Sequence, residues 1–220
     1  MGTSVSGVGV LDKSVAVLDA VAAGGTAGAT LADLVAATGI SRATAHRLAV
    51  ALEAHGLLRR GDDGRFCLGL RLVALGHAAA DGWPVAAAAE PALARLRDET
   101  GESAQLYVRD GDQRVCVRSL ESSHELRTIV AEGARLPLAV GSAGRLLAGE
   151  PAPDGWLASV GERAPGVVSV SAPVVDPRTR ALVAAVGISG PQGRLGDDPG
   201  PRFGPAVARA GERIAAALHP

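Results

Sequence analysis

Residues 31–58 read LADLVAATGISRATAHRLAVALEAHGLL, and this stretch decides how the first part of the chain folds. Thr30, just before it, is a good N-cap, and Asp33 lies where a carboxylate meets a helix N-terminus. Gly39 follows this short helix, at a point where the chain must turn through positive φ. Ser41 is then the N-cap of a second helix. Two short helices joined by a tight glycine turn are typical of a helix-turn-helix.

The second helix of this pair has an apolar face and a polar face. We expect the buried face to consist of Ala45, Leu48, Ala49 and Leu52. The residues expected on the exposed face are Arg42, Ala43, His46, Arg47 and Val50. Small outward residues let a helix approach base edges, and arginine suits guanine in the major groove. The outward face therefore indicates a DNA-recognition helix.

An amphipathic helix precedes the pair and a β-hairpin follows it. The helix is predicted from the spacing of Leu11, Val15, Leu18 and Ala22, which we expect to face the core. The hairpin strands are predicted at residues 57–60 and 65–68, with Asp-Gly at the turn, where the wing of a winged helix-turn-helix lies.

DNA contacts are expected from the caps, the recognition helix and the wing, at Thr30, Ser41, Arg42, Thr44, Ala45, Arg47 and Arg65. Among these, Arg42, Thr44 and Arg47 are the candidates for base or phosphate contact. Arg65 of the wing is the candidate for the DNA backbone. The alternative is a helical hairpin with a solvated basic face.

The charge of the chain is unevenly distributed. All 220 residues together carry a formal net charge of −1, which excludes a protein that coats nucleic acid by bulk positive potential. Residues 40–60, however, carry +3, so the other residues sum to −4. The hydrophobic share of 47% excludes a disordered chain, and no apolar run is long enough for a membrane span.

The rest of the sequence predicts a linker helix over residues 70–83. It separates a DNA-binding domain, residues 1–69, from a second domain, residues 84–220, where the hydrophobic period becomes alternating. Strands are predicted at residues 106–109, 114–118, 126–130, 168–171 and 186–189, between a helix over 85–100 and a closing helix over 205–218. This arrangement is typical of the α+β class, built on an antiparallel sheet.

No enzyme motif is complete in the sequence. Residues 140–144 lack the first glycine of a G-x-S-x-G elbow, and residues 7–10 lack the third glycine of a dinucleotide site. The sequence has neither a phosphate loop nor an H-E-x-x-H zinc motif. We therefore expect no catalytic residue, no metal and no cofactor. Two cysteines, Cys67 and Cys116, do not make a disulfide framework, which favours a cytoplasmic protein. As a DNA-binding protein it is expected to be nucleoid-associated.

Several stretches resemble the IclR family of bacterial transcription regulators, over nearly the whole chain. They are residues 31–58, GRFCLGLRL, ETGESAQLYVRDGDQRVCV, GSAGRLLA, PGVVSVSAPV and ALVAAVGISGP. The resemblance implies an N-terminal winged helix-turn-helix, a C-terminal GAF-like domain for a small organic effector, and a homodimer or tetramer on a double-stranded DNA operator. TAHRLAVALE and RLRDETGESAQLY are closer to an actinobacterial subgroup associated with control of leucine and other amino-acid biosynthesis.

Carried over residue by residue, the resemblance implies effector contacts at Ser142, Ala143, Gly144, Ser169, Gly187 and Ser189. From the residues alone, these hydroxyls and glycines suit either a pocket for a carboxylate or amino acid, or the wet face of an antiparallel sheet. Family members have further segments where residues 150–156 follow here, so we expect a shortened effector domain.

Three functions stay open at this point. The first is a regulator or repressor of transcription that responds to an amino acid or a keto acid. The second is an effector-blind dimeric regulator, and the third is a small-molecule sensor whose winged helix contacts protein.

Overall fold

The computed structural model describes residues 7–219 and divides the chain into two compact units. The first unit ends at Gly82 and the second begins at Trp83, at the end of the predicted linker. The predicted first domain also includes residues 1–6, which lie outside the described residues.

The first unit has the helices and the hairpin of a winged helix-turn-helix. Its elements are α1 (Gly9–Ala23), α2 (Leu31–Thr38), α3 (Arg42–Ala54), β1 (Leu58–Arg60), β2 (Phe66–Leu68) and α4 (Arg71–Asp81). Strands β1 and β2 pair antiparallel, and Ala29 forms a further β-bridge with Phe66. The hairpin is thereby tied to the segment that precedes α2.

Local capping determines where α2 and α3 begin. The Asp33 N–H donates to Thr30 Oγ1 at 3.2 Å, and the Thr30 N–H donates to Asp33 Oδ2 at 2.8 Å, which completes a capping box. The hydrogen bond from the Thr30 N–H also lowers the pKa of the Asp33 carboxyl, so this group is ionised at neutral pH. Gly39 ends α2 at φ +68°, and Ser41 Oγ accepts from the Thr44 N–H at 3.4 Å. These caps confirm the predictions from sequence.

The core of the first unit confirms the predicted faces of α3 and corrects that of α1. Ala45, Ala49 and Leu52 are buried, and Leu48 packs beside them. In α1 the buried residues are Val17 and Val21, whereas Leu11, Val15 and Ala22 of the predicted stripe are exposed. The helix carries apolar residues on more than one side, so spacing alone selected the wrong side.

The second unit is an antiparallel sheet with helices on it. Its elements are α5 (Pro84–Thr100), β3 (Ser103–Asp110), β4 (Gln113–Leu120), β5 (Arg135–Pro137), α6 (Ser142–Leu147), β6 (Leu157–Val160), β7 (Val167–Val175), β8 (Leu182–Pro191), α7 (Gln192–Leu195) and α8 (Gly200–Ala217). The six strands lie in the order β5-β4-β3-β8-β7-β6, and every neighbouring pair is antiparallel. The α+β class is confirmed.

The two faces of this sheet differ in polarity. Side chains alternate along a strand, so Val168 and Val170 of β7 share one face with Val186 and Ile188 of β8. Helices α5 and α8 cover that face and complete the main core. The other face carries the serines of β7 and β8, and α6 packs against it.

The strand predicted at residues 126–130 is wrong. Leu126 and Ile129 are exposed, and the Leu126 carbonyl accepts a hydrogen bond from Arg194 Nη1 at 3.0 Å. The position beside β4 is taken by β5, which the sequence analysis missed, as it did β6. The closing helix begins at Gly200, five residues before its predicted start. Pro201 lies in its first turn, where a proline costs no hydrogen bond, and Pro205 lies inside the helix. No helix in the described part of the chain could cross a membrane.

Removal of the Thr30 hydroxyl should weaken the start of α2. We expect Thr30→Ala to lower the free energy of unfolding of the first unit by about 1 kcal/mol, the usual cost of a lost N-cap. Urea denaturation followed by circular dichroism measures this loss. Thr26→Ala is the matched control, because Thr26 is exposed and its hydroxyl bonds to no described residue. An equal loss in both variants would contradict the capping role.

Candidate functional site

The outward face of α3 is open to a partner. Arg42, Ala43, His46, Arg47 and Val50 are all exposed, as predicted. Two of them, Arg42 and Arg47, form no ion pair with any residue that the structure describes. The recognition face of α3 therefore presents small side chains and two unpaired cations.

The arginines of the hairpin differ in how far their charge is neutralised. Arg60 pairs with Glu53 at 3.2 Å and stacks 4.4 Å from the centroid of the Phe66 ring. Arg65 Nη1 lies 3.6 Å from Asp33 Oδ2, and Arg65 Nε lies 3.3 Å from Asp63 Oδ2. Arg59 is exposed and has no ion pair within the described residues. Arg59 is thus the hairpin cation with most charge available to a phosphate.

The other predicted contact residues of the first unit already have structural partners. The hydroxyls of Thr30 and Ser41 accept the capping hydrogen bonds, and Ser41 Oγ also donates to Thr44 Oγ1 at 3.0 Å. Ala45 is fully buried in the core, so the prediction that this side chain contacts DNA is wrong. Its spacing placed it on the core face, and burial removes it from the surface.

In the second unit, small polar residues form two rows across the sheet. The first row, from β6 to β3, is Ser159, Ser169, Ser189 and Ser103, and the second is Ser171, Gly187 and Gln105. Direct cross-strand neighbours on one face lie close enough to interact. The register of four strands therefore collects these side chains at one place.

Helix α6 adds a further hydroxyl to these rows. Gly141, at φ +78°, turns the chain into α6, and Ser142 follows it fully buried. Ser142 Oγ lies 2.8 Å from both Ser169 Oγ and Ser171 Oγ, and Ser159 Oγ lies 3.1 Å from Ser169 Oγ. Each hydroxyl can donate or accept, so the four groups satisfy one another in a small network.

Arg114 reaches from β4 to the start of α6. It is 3% exposed, and its guanidinium donates to the carbonyl of Pro137 and, at 2.6 Å, to that of Val140. A Cβ at Gly144 would overlap this guanidinium, which explains the glycine there. Burial lowers the pKa of Arg114, and the nearby Arg163 lowers it further. An arginine begins so far above neutral that Arg114 stays charged.

Tyr107 and Cys116 complete the surroundings of Arg114. The Tyr107 ring centroid lies 5.4 Å from the Arg114 guanidinium carbon, and burial raises the pKa of the Tyr107 hydroxyl. Burial likewise raises the pKa of the Cys116 thiol to about 12, so this thiol is protonated and unreactive at neutral pH. Cys116 is a buried free cysteine, and Cys67 is half-buried.

These residues enclose a cavity of about 20 Å³. This volume suits one water molecule and is far below that of a usual small-molecule pocket. The lining residues include Gln105, Tyr107, Arg114, Gly141, Ser142, Ala143, Ser159, Arg163, Ser169, Ser171, Gly187 and Ser189. Five of the six predicted effector residues are among them, whereas Gly144 packs against Arg114 and the Leu138 carbonyl instead.

A larger cavity of about 420 Å³ lies elsewhere in the second unit, beside Trp83, Arg109 and Leu182. It contains none of the predicted effector residues. Among the described residues, no group of three or more histidine, cysteine, aspartate or glutamate side chains could hold a metal ion.

The comparisons with known proteins agree with this architecture. The IclR helix-turn-helix domain matches residues 10–62, and the C-terminal domain of the bacterial transcriptional regulator IclR matches residues 77–154. The chain belongs to the IclR family of transcriptional regulators. This family consists of regulators of transcription, which confirms the prediction that the chain is not an enzyme.

Two relatives and one solved structure illustrate the family likeness. The regulator KipR of Bacillus subtilis is 34% identical over 53% of this chain and 46% of its own length, so the chain matches about half of that relative. The glycerol operon regulatory protein of Streptomyces griseus is 28% identical over 87% of this chain and 88% of its own. The structure of an IclR homologue from Microbacterium hydrocarbonoxydans, complexed with 4-hydroxybenzoate, shares the fold with TM-score 0.78, at 21% identity over 95% of this chain and 98% of that one.

The sequence of this IclR-family chain did not predict the larger polar residues of the cavity, which are Gln105, Tyr107, Arg114 and Arg163. Gln105 and Tyr107 alternate with the core residue Leu106, so the period of β3 places them on the serine face. The same alternation in β4 places Arg114 beside Cys116. The alternation along β3 and β4 could therefore have identified the strand residues of the cavity. Arg163 lies in a loop, where no such period exists.

The cross-strand rows leave no room for a side chain at Gly187. A Cβ there would overlap Ser171 Oγ and lie 2.6 Å from the Val170 carbonyl oxygen. We expect Gly187→Ala to lower the free energy of unfolding by about 1–3 kcal/mol, the usual cost of overpacking. Guanidinium denaturation measures this loss. Gly193→Ala is the control, because a Cβ at Gly193 meets open space. A Gly187 variant as stable as the control would contradict this packing.

Proposed function

We propose that this IclR-family chain binds a double-stranded DNA operator through α3 and the hairpin, and so regulates transcription. The observation that carries the proposal is the exposed face of α3, with Arg42 and Arg47 unpaired among the described residues. Such a face suits the major groove, where arginine can donate to guanine. The local charge of +3 over residues 40–60 concentrates the attraction for phosphate at this place.

The contacts divide into base readers and backbone anchors. Arg47 and Arg42, with the Thr44 side chain, are proposed to read bases or adjacent phosphates from α3. Arg59 is proposed as the principal phosphate contact of the hairpin. Arg65 was the candidate from sequence, and its pairs with Asp33 and Asp63 reduce the charge it offers to a phosphate. Arg65 therefore has a smaller proposed role than Arg59.

A homodimer or tetramer is the proposed form of the regulator. In α1, Val10, Leu11 and Val15 are exposed, and in α4 Val73 and Leu75 are half exposed. Exposed apolar residues on two helices of one unit favour association, because burying them against another copy removes apolar surface from water. A two-fold dimer would present two α3 helices to two half-sites.

The second unit is proposed to sense a small organic effector, such as an amino acid or a keto acid. Five residues that the family resemblance assigns to effector contact meet at the small cavity. The Microbacterium homologue, which shares the fold, was solved with 4-hydroxybenzoate. The likeness to the actinobacterial subgroup supports amino-acid biosynthesis genes, of the leucine type, as the targets.

A shortened effector domain is part of this proposal. The alignment with the Streptomyces griseus relative extends over 225 residues, yet uses only 87% of this chain of 220. The relative therefore has residues within the aligned region that this chain lacks. The match to the IclR C-terminal domain also ends at residue 154, in the stretch where the sequence analysis expected the loss.

The small cavity favours one alternative, an effector-blind dimeric regulator. A volume of about 20 Å³ is too small for an aromatic acid unless side chains move. A sensor that contacts protein through its winged helix is the remaining alternative, and it predicts no selective DNA binding.

Arg47 gives the most specific test of DNA reading. We expect Arg47→Ala to weaken binding to the chain's own upstream region by about 1–3 kcal/mol, the usual value for a base-reading arginine. Fluorescence anisotropy at several salt concentrations measures the affinity for this region and for an unrelated duplex. The preference for the upstream region should shrink in the variant.

Arg213→Ala is the matched control, because Arg213 is exposed on α8 in the second unit and has no ion pair among described residues. It should bind as the wild type does. Unchanged affinity of Arg47→Ala across the salt series would contradict the reading role. A wild-type protein with no preference for the upstream region would favour the protein-contact alternative.

A further inference from the structure

The cavity of about 420 Å³ lies at the end of the sheet where β7 turns into β8. Its lining comes from the start of α5, the end of β3, the β7–β8 hairpin and the two residues that follow α8. The volume falls within the range of small-molecule pockets, whereas the cavity of the serine face has room for about one water molecule. None of the residues expected to contact an effector lines the larger cavity, so it is a separate candidate site.

The walls of the larger cavity are mostly apolar, and part of them is open to solvent. Val85 is buried in the main core, and Val183 and Leu218 pack against that core. Trp83 and Leu182, by contrast, are 45% and 39% exposed. A ligand that covers these two side chains removes apolar surface from water. The exposed indole suits a flat aromatic ring, which can stack on it.

The charges at this cavity disfavour an anionic ligand. The Arg109 guanidinium donates to the carbonyls of Gly111 at 3.0 Å and Leu147 at 3.3 Å, neither of which lines the cavity. Leu147 belongs to α6 on the serine face, whereas α5 and α8 cover the opposite face. The charge of Arg109 is therefore directed away from these two helices. Asp176 does line the cavity, and its carboxylate repels an anion.

His219 leaves one hydrogen-bonding atom available at the cavity. The hydrogen bond from the Thr179 N–H lowers the pKa of Asp176, so its carboxyl is ionised at neutral pH and can only accept. His219 Nε2 lies 3.1 Å from Asp176 Oδ2 and therefore donates to it. In the neutral ring Nδ1 is then an acceptor, and it bonds to no described residue. A ligand with an O–H or N–H group matches this atom.

We propose that this cavity binds an uncharged aromatic compound with one O–H or N–H donor, such as a phenol, by stacking on Trp83 and hydrogen bonding to His219 Nδ1. The proposed site is distinct from the effector site of the serine face and does not rest on it. A small molecule suits the cavity better than a second copy of the chain. A stable interface needs about 800 Å² per partner, and the described lining offers only Trp83 and Leu182 as large exposed apolar side chains.

Isothermal titration calorimetry of the full chain at neutral pH, with three compounds that share one ring, tests this proposal. The uncharged donor is p-ethylphenol, and we expect it to bind saturably at one site per chain. In p-ethylanisole a methoxy group replaces the hydroxyl, so binding should be about threefold weaker or more, because the hydrogen bond to His219 is lost. In p-ethylbenzoate a carboxylate replaces the hydroxyl, and binding should be about tenfold weaker or more, because its charge loses water beside Asp176.

Variants assign the binding to this cavity. Trp83→Ala should weaken p-ethylphenol binding about fivefold or more, because the stacking surface is lost, and Trp83→Phe should restore most of the affinity. His219→Ala should bind p-ethylphenol and p-ethylanisole equally, a change that a loss of packing alone would not produce. Leu126→Ala is the matched control, because Leu126 is 71% exposed in the same unit and lines neither cavity. The control should bind p-ethylphenol as the wild type does.

Three results of these titrations would overturn the proposal. They are the absence of saturable p-ethylphenol binding by the wild type, binding of p-ethylbenzoate as tight as that of p-ethylphenol, and p-ethylphenol binding that Trp83→Ala leaves unchanged. Sedimentation analysis of Leu182→Glu adds a fourth, since an oligomer smaller than that of the wild type would assign the cavity to a second copy of the chain. None of these readouts uses DNA, so they are independent of operator binding.

Discussion

The second unit depends on one constraint, the register of its six-stranded antiparallel sheet. Side chains alternate along each strand, so Val168 and Val170 enter the core under α5 and α8 while Ser169 and Ser171 point to the other face. A slip of one residue would bring hydroxyls into the core and valines to the cavity. The burial of the valines therefore also holds the serines in place. The same alternation in β4 puts Arg114 on the serine face.

In the first unit, the helical period of α3 likewise separates core residues from functional residues. The residues of α3 that pack into the core, Ala45, Ala49 and Leu52, leave Arg42 and Arg47 on the opposite side. Nearby carboxylates neutralise Arg60 and Arg65 through ion pairs, so the basic surface is narrower than the sequence suggests. A near-neutral chain can thus hold DNA with a few placed arginines.

Sequence alone predicted the features that local interactions determine. The capping box of Thr30 and Asp33, the turn at Gly39 and the faces of α3 depend on neighbours a few residues apart, and all three were predicted. The side of α1 that is buried in the core was not predicted, because it depends on which of its apolar sides packs against the rest of the unit. The strand expected at residues 126–130 failed because β5 pairs with β4 at the sheet edge.

At the candidate site too, some residues were predicted from the sequence and others depend on tertiary packing. The family resemblance supplied five residues of the cavity, and the cross-strand register of β7 and β8 explains why they meet. Arg114 was missed because an arginine inside a strand is expected at the surface, and only tertiary packing buries it. Gly144 was assigned to effector contact, whereas its lack of a side chain makes room for Arg114.

Sequence-selective DNA binding by this IclR-family chain can be measured directly. Immobilised full-length protein can be used to capture random fragments of the source genome, which are then sequenced. Sequence-selective binding by a two-fold dimer predicts enrichment of fragments that share an inverted repeat, with half-sites about 10 base pairs or a multiple apart. Recovery of fragments in proportion to their input, with no shared motif, would contradict it.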